Sequence, residues 1–192
     1  MNNENELVHW TGIGSRDTPL DVLKVMTTFS SMLNRNQDAK YVLRSGNARG
    51  ADKAFEKGVR MQYENSLKEL DVRVESYTVQ DLTPGCWSFH TVRKYHPYVA
   101  KGGHLHPYVR KLMARSAYQV LGKDGKTPSK FLVCWTPDGA TSKTTIITGG
   151  TGQAIRIAND YSIPVYNLAN KSTLSLVRNI GDFLKHVNNN KK

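Results

Sequence analysis

Cysteine is nearly missing: Cys86 and Cys134 are the only two in 192 residues, and they stand far apart. That scarcity excludes a disulfide-stapled scaffold and a CxxC metal or redox site, and it suits a reducing cytoplasm. No stretch reaches the ~18 consecutive apolar residues of a membrane span. The opening residues MNNENEL, Met1 to Leu7, are polar and acidic where a signal peptide is basic and then apolar, so neither export nor membrane insertion is expected. Acid is also scarce: 16 Asp and Glu stand against 27 Lys and Arg, a formal net charge of +11. Such an excess favours anionic partners, whether phosphates, nucleotides or nucleic acid. No block of five or six basic residues occurs, which argues for a basic site or face instead of a polybasic tail. Internal repeats are absent. So are GxxxxGKS/T and a strict GxGxxG, which removes sequence support for P-loop chemistry and ordinary dinucleotide binding.

What is present has globular proportions, with 39% hydrophobic and 22% charged residues. At about 150 residues per domain the length suits one domain, with a core over about residues 8–168. Short β-rich runs alternate with helix-length amphipathic segments, which predicts an α/β fold: a Rossmann-like, open, mostly parallel sheet with helices on both faces. The first strand is expected at Val8 to Ile13. A helix follows from about Pro19, capped by Asp17 or Thr18, with Leu20, Leu23, Phe29 and Leu33 near one face. The second strand, Tyr41 to Arg44, runs into a loop and a helix carrying Ala54, Phe55 and Val59. Val72 to Tyr77 alternates as a third strand. The stretch 79–106, broken by Pro84, Gly85, Pro97, Gly102 and Gly103, reads as a functional or covering loop. A helix then runs from Pro107 to Gly122. Phe131 to Trp135 is a continuous apolar run, as a central strand buried on both faces would be. A short helix, Gln153 to Asn159, a strand, Pro164 to Leu168, and a last helix, about Thr173 to Val187, complete the chain before a frayed tail.

Three loops share one grammar of strand, small residues and helix: Gly12-Ile13-Gly14-Ser15-Arg16, Ser45 to Gly50, and Thr148 to Gly152. In an open parallel sheet all three emerge at the carboxyl ends of strands, where ligands bind. Glycine lets backbone amides approach an anion, and a following helix N-terminus adds a positive dipole end, so phosphate is the apt guest. The expected neutral donors are the amides of Gly14, Ser15, Gly46, Asn47, Gly150, Thr151 and Gly152. The helix with Arg110, Lys111 and Arg115 would supply charge from one side, and Arg16 can contact phosphate.

Taken together, Gly14-Ser15-Arg16, Ser45-Gly46-x-Ala48-x-Gly50-Ala51-Asp52 and Gly149-Gly150-Thr151-Gly152-Gln153-Ala154 resemble the SLOG superfamily. This Rossmann-like group contains the DNA-processing protein A and Lonely Guy families, with small members in bacteria and phages. The resemblance implies a pocket at these loops for nucleotides or nucleotide-derived signals, and often a homodimer or higher oligomer. The phosphoribohydrolase branch carries P-G-G-x-G-T-x-x-E, whose glutamate helps break an N-glycosidic bond; the matching position here is Arg156. A guanidinium can neither accept a proton nor stabilise an oxocarbenium ion, so the departure favours binding over turnover. Arg115, in Met113-Ala114-Arg115, matches the branch's arginine.

The expected ligand residues are thus Gly14, Ser15, Arg16, Ser45, Gly46, Asn47, Ala48, Asp52, Arg110, Arg115, Trp135, Thr136, Gly149, Gly150, Thr151, Gly152 and Gln153. Several have plain structural counterparts. Asp52 can accept from ribose hydroxyls or orient a water, or it can cap a helix and bind loop amides. Arg16 can meet phosphate or sit in a surface ion pair. Trp135 and Thr136 can edge the pocket, with the indole stacked on a base, or pack in the core. His90, His96, His104 and His106 crowd one loop without a carboxylate or cysteine set, so no metal site and no cofactor is expected. The sequence therefore favours sensing or sequestering a nucleotide-derived signal such as a cyclic ADP-ribose or cyclic nucleotide, and in a phage setting a sponge for an immune signal. The rivals are a nucleotide N-glycosidase using Asp52 or Asp138, and a DNA-binding recombination mediator.

Overall fold

Among the described residues, five strands pair in parallel in the order β3-β2-β1-β4-β5: β1 (Leu7–Gly14), β2 (Lys40–Ser45), β3 (Val74–Ser76), β4 (Leu132–Trp135) and β5 (Val165–Asn167). The structure, a computed structural model, describes residues 7–36, 39–63 and 72–189. Eight α-helices surround the sheet among the described residues: α1 (Leu20–Arg35), α2 (Ala51–Gln62), α3 (Ser88–Tyr95), α4 (Pro97–Ala100), α5 (Pro107–Leu121), α6 (Thr151–Asp160), α7 (Lys171–Val177) and α8 (Ile180–Asn189). The fold is an open, Rossmann-like α/β sheet with every strand parallel.

Strand alternation divides the core. Val8 and Trp10 of β1 and Val133 of β4 face α1, α2 and α8, whereas Ile13, Leu132 and Cys134 face α5 and α6. On the first face the fully buried Trp10 meets Phe29 and Phe55 edge-on at 5.7 and 5.4 Å and stacks on Phe131 at 5.9 Å. Phe183 of α8 closes this cluster against Phe131 at 5.2 Å. On the second face the small and branched side chains of Ala117, Val120, Ala154 and Ile155 let two helices lie close to the sheet. Because β4 feeds both clusters, its run of apolar residues is continuous.

Several expected boundaries move, each for a local reason. The buried stripe of α1 is Val22, Met26, Phe29 and Leu33, and Leu20 is 78% exposed because it lies about half a turn away from that stripe. Neither Asp17 nor Thr18 caps α1; Pro19 precedes it, and the Thr18 hydroxyl donates to the Ser15 carbonyl at 2.7 Å. The third strand shrinks to Val74–Ser76, and α6 begins at Thr151, two residues earlier than expected. The stretch 79–106 is largely ordered: a 3₁₀ turn at Val79–Asp81, closed by a Thr78–Asp81 capping box, leads to α3 and α4. Val92 of α3 packs with Tyr77, Leu82, Ala114 and Tyr118, so this stretch covers α5. The single last helix becomes two, α7 and α8, because the Asn179 side chain accepts the Asp182 N–H at 3.3 Å and starts a new helix. The tail's final residues, 190–192, lie outside the described residues, as do residues 1–6 of the polar opening.

Candidate functional site

From β1 the chain moves outward through β2 and β3, then returns across β1 to β4 and β5. The β1–β4 boundary is therefore the topological switch point, where crevices open in sheets of this kind. A cavity of about 470 Å³ lies there. Ile13 and Gly14 come from the end of β1, Ser15 and Arg16 from the first loop, and Ala48 and Asp52 from the second loop and α2. Leu112, Met113, Arg115 and Ser116 come from α5, and Pro137 and Ile147 to Thr151 from the segment between β4 and α6.

The first two loops hold each other through backbone. The Ala51 N–H donates to the Ser15 carbonyl at 3.4 Å, and the Ser15 N–H donates to the Trp135 carbonyl at 3.2 Å. Gly50 sits between them at φ +83°, where a Cβ would fall 2.6 Å from the Ser15 carbonyl oxygen. Only glycine fits both the conformation and the space.

Gly46 makes a second close approach, beneath Asp52 and Arg115. A Cβ there would lie 2.7 Å from the Arg115 guanidinium carbon and 2.8 Å from Asp52 Oδ2. Asp52, 1% exposed, accepts N–H groups from Gly46 at 3.0 Å and Ala48 at 3.4 Å, while Arg115 donates to the Gly46 carbonyl at 2.7 Å. A carboxylate and a guanidinium from two helices thus grip one loop. Burial pushes the Asp52 carboxyl up to about 6, against the opposing pull of Arg115 and the two amides. Burial lowers the pKa of Arg115, and its buried Nε has no partner among the described residues.

Asp138 organises the opposite wall. Its carboxylate accepts the hydroxyls of Thr136 at 2.8 Å, Thr145 at 3.0 Å and Thr148 at 2.5 Å, together with the Ala140 N–H at 3.4 Å. Desolvation opposes its charge, but these bonds outweigh it and hold its pKa below the usual range. The result is a folded connection that presents Ile147 to Thr151 to the cavity.

No protein-family model, curated protein or solved structure matches this chain.

Of the residues expected at the site, Gly14, Ser15, Arg16, Ala48, Asp52, Arg115, Gly149, Gly150 and Thr151 border the cavity. The others do different things. Ser45 is buried and donates to Glu56 at 2.7 Å; Gly46 lies beneath the Asp52–Arg115 clamp; Asn47, at φ +56°, accepts from Lys53. Arg110 points to a separate cavity and lies over the Phe89 ring at 5.1 Å, because it projects from the opposite face of α5 to Arg115. The Trp135 side chain packs against the α1–α2 core instead of edging the cavity. Thr136 is fully buried between Asp138 and Asn167. Gln153 donates to the Thr91 carbonyl at 3.1 Å, and the Gly152 N–H donates to the Gly149 carbonyl at 3.1 Å.

The expected amide donors need the same revision. Ser15, Gly46, Asn47 and Gly152 already spend their N–H groups on Trp135, Asp52, Ser45 and Gly149. Those of Gly150 and Thr151, at the start of α6, have no acceptor among the described residues. Sequence reasoning passed over Leu112, Met113 and Ser116; helical spacing was an available signal only for Leu112, which lies three residues before Arg115 and four before Ser116. Ile147 carried no such signal. Among the described residues, no group of three or more His, Cys, Asp and Glu side chains is placed to hold a metal, and no helix is long and apolar enough to cross a membrane.

Proposed function

We propose that the switch-point crevice binds the phosphate of a nucleotide or nucleotide-derived signalling molecule, as a SLOG-type pocket, and senses or sequesters it without turnover. One observation carries this reading: Arg16, Arg115 and the uncommitted amides of Gly150 and Thr151 border the same cavity at the carboxyl edge of a parallel sheet. Two cations, a helix start and a volume of about 470 Å³ suit a compact anion bearing a larger organic body. Leu112, Met113 and Ile147 add apolar surface for that body.

The test is native mass spectrometry of the purified protein, identification of any released molecule, and thermal-shift and turnover assays against nucleotides and cyclic nucleotides. An intact nucleotide-like molecule, with affinity reduced in Arg16→Ala at unchanged melting temperature, is the expected result. Arg16 is exposed, so that variant separates binding from folding. Absence of binding to every nucleotide tested overturns the reading.

The Asp52 carboxyl favours a second reading. A buried acid on the cavity wall, with its pKa near 6, is poised for proton transfer near neutrality, as an N-glycosidase requires. Release of free base from a nucleoside monophosphate, lost in Asp52→Asn, would replace sequestration with hydrolysis. Asp138 is a poorer candidate, because its carboxylate is committed to three hydroxyls.

A further inference from the structure

We infer that the ligand carries a second anionic group, held beyond the Gly149 turn by Arg156: a nucleotide whose two phosphates stand apart on one scaffold, either a nucleoside bisphosphate or a dinucleotide. This rests on the nucleotide reading of the crevice and narrows its ligand class.

Gly149 borders both the crevice and a neighbouring cavity of about 430 Å³, which His96, Tyr98, Thr144, Ile146 and Arg156 also line. Arg156 is half-buried there. It donates from one terminal nitrogen to Thr144 Oγ1 at 2.6 Å and from the other to Gln153 Oε1 at 3.2 Å, and both acceptors are neutral. Among the described residues its buried Nε has no partner, and no carboxylate lies within 4.0 Å of the guanidinium. The contrast with Arg44 is informative. Arg44 is more deeply buried, yet it pairs with Glu75 at 2.8 Å, so this fold does compensate a buried guanidinium when the role is purely structural.

The surroundings of Arg156 do not substitute for an acid. His96 shares the cavity, and its buried Nδ1 has no partner among the described residues. Burial, and then the charge of Arg156, lowers the His96 pKa, so the imidazole adds hydrogen-bonding capacity more readily than charge. Burial also lowers the pKa of Arg156 itself, with no neighbouring acid among the described residues to oppose it. Leaving a charge unpaired in a half-buried setting costs stability, and a phosphate is the partner that a guanidinium with unused N–H donors fits best. Tyr98 and Ile146, 58% and 95% exposed at the rim, offer a surface against which a second sugar or base can rest. Since Gly149 belongs to both walls, one molecule anchored near Arg115 and Thr151 can turn around it towards Arg156.

Isothermal titration calorimetry on the full chain tests this with three classes of probe: AMP and GMP; adenosine and guanosine 3′,5′-bisphosphate; cyclic di-AMP and cyclic di-GMP. A two-phosphate probe is expected to bind about tenfold or more tightly than the mononucleotide of the same base, as one added charge-assisted contact implies. Arg156→Gln should erase that advantage to within about twofold while leaving mononucleotide affinity unchanged, and Arg156→Lys should restore part of it. The class that gains identifies bisphosphate or dinucleotide. If AMP or GMP binds as tightly as every two-phosphate probe in the wild-type protein, the inference is overturned while the crevice reading stands, and that comparison needs no variant to fold. An equal loss for both probe classes in Arg156→Gln also overturns it. If no probe binds, the crevice reading fails and takes this inference with it.

Discussion

Asp52 is a residue at which burial and charge oppose each other directly. Its carboxyl is 1% exposed and holds the Gly46 and Ala48 amides, so it orders the second loop, yet burial raises its pKa from 3.8 to about 6. Between those two values the folded protein binds more protons at this site than the unfolded chain. Stability contributed by the site is therefore present at low pH, falls as pH rises from about 4 to 6, and levels off above. A shift of about two units corresponds to about 3 kcal/mol. Asp52→Asn keeps an acceptor for both amides and removes the titration. Urea unfolding across pH 4–8 should show the wild-type curve losing up to about 3 kcal/mol relative to Asp52→Asn over that window. His96 pulls the other way, because a lowered histidine pKa destabilises the fold at low pH, so the difference between the two proteins isolates Asp52 better than either curve alone. Parallel curves would mean that Asp52 is ionised in the folded state at acid pH, and would remove the main support for the hydrolase reading.

At the scale of elements, two connections shape the crevice, and each depends on a residue that does not need to touch ligand. Gly50 joins the second loop to α2 at φ +83°, with a phantom Cβ 2.6 Å from the Ser15 carbonyl oxygen. Gly50→Ala should destabilise the protein by about 2–4 kcal/mol, through backbone strain and separation of the two loops, readable as a lower urea midpoint. Asp138 secures the β4–α6 connection through three hydroxyls. Asp138→Asn retains fewer of those bonds, so amide hydrogen exchange should quicken at Thr145 and Ile147, whose N–H groups bond Thr148 and Thr145 within this knot, while exchange in β1 stays slow.

The same elements show what was legible beforehand. β4 was readable because a strand buried on both faces is continuously apolar, and the Gly-containing loops were readable because strand ends that turn sharply need small residues. The helices within 79–106 were obscured by Pro97 and by α3 being only eight residues long, where periodicity has little room to declare itself. Trp135 and Arg110 were misplaced for a different reason. Sequence put them beside the right residues but could not say on which face of β4 or α5 their side chains emerge.

Across the whole molecule the net charge of +11 invites a nucleic-acid reading, and the distribution of charge limits it. Arg44 is bound to Glu75, Lys53 to Glu56 and Lys94 to Asp160, while Arg16 and Arg115 border the switch-point crevice and Arg93, Arg110 and Lys111 border another cavity. A groove that tracks a strand of nucleic acid needs a continuous row of cations alternating with stacking aromatics, and these cations are divided between ion pairs and two separate cavities. The two modes differ in their dependence on salt. A nucleotide held by one or two phosphate contacts should lose affinity shallowly between about 50 and 200 mM salt, whereas diffuse attraction of a single-stranded oligonucleotide to the surface should collapse over the same range. Fluorescence anisotropy with labelled dT20 is expected to give weak, steeply salt-dependent binding that neither Arg16→Ala nor saturating nucleotide alters. Oligonucleotide binding that Arg16→Ala weakens and a mononucleotide displaces would instead make the crevice part of a nucleic-acid path, with the parallel sheet presenting a strand end where we place a small molecule.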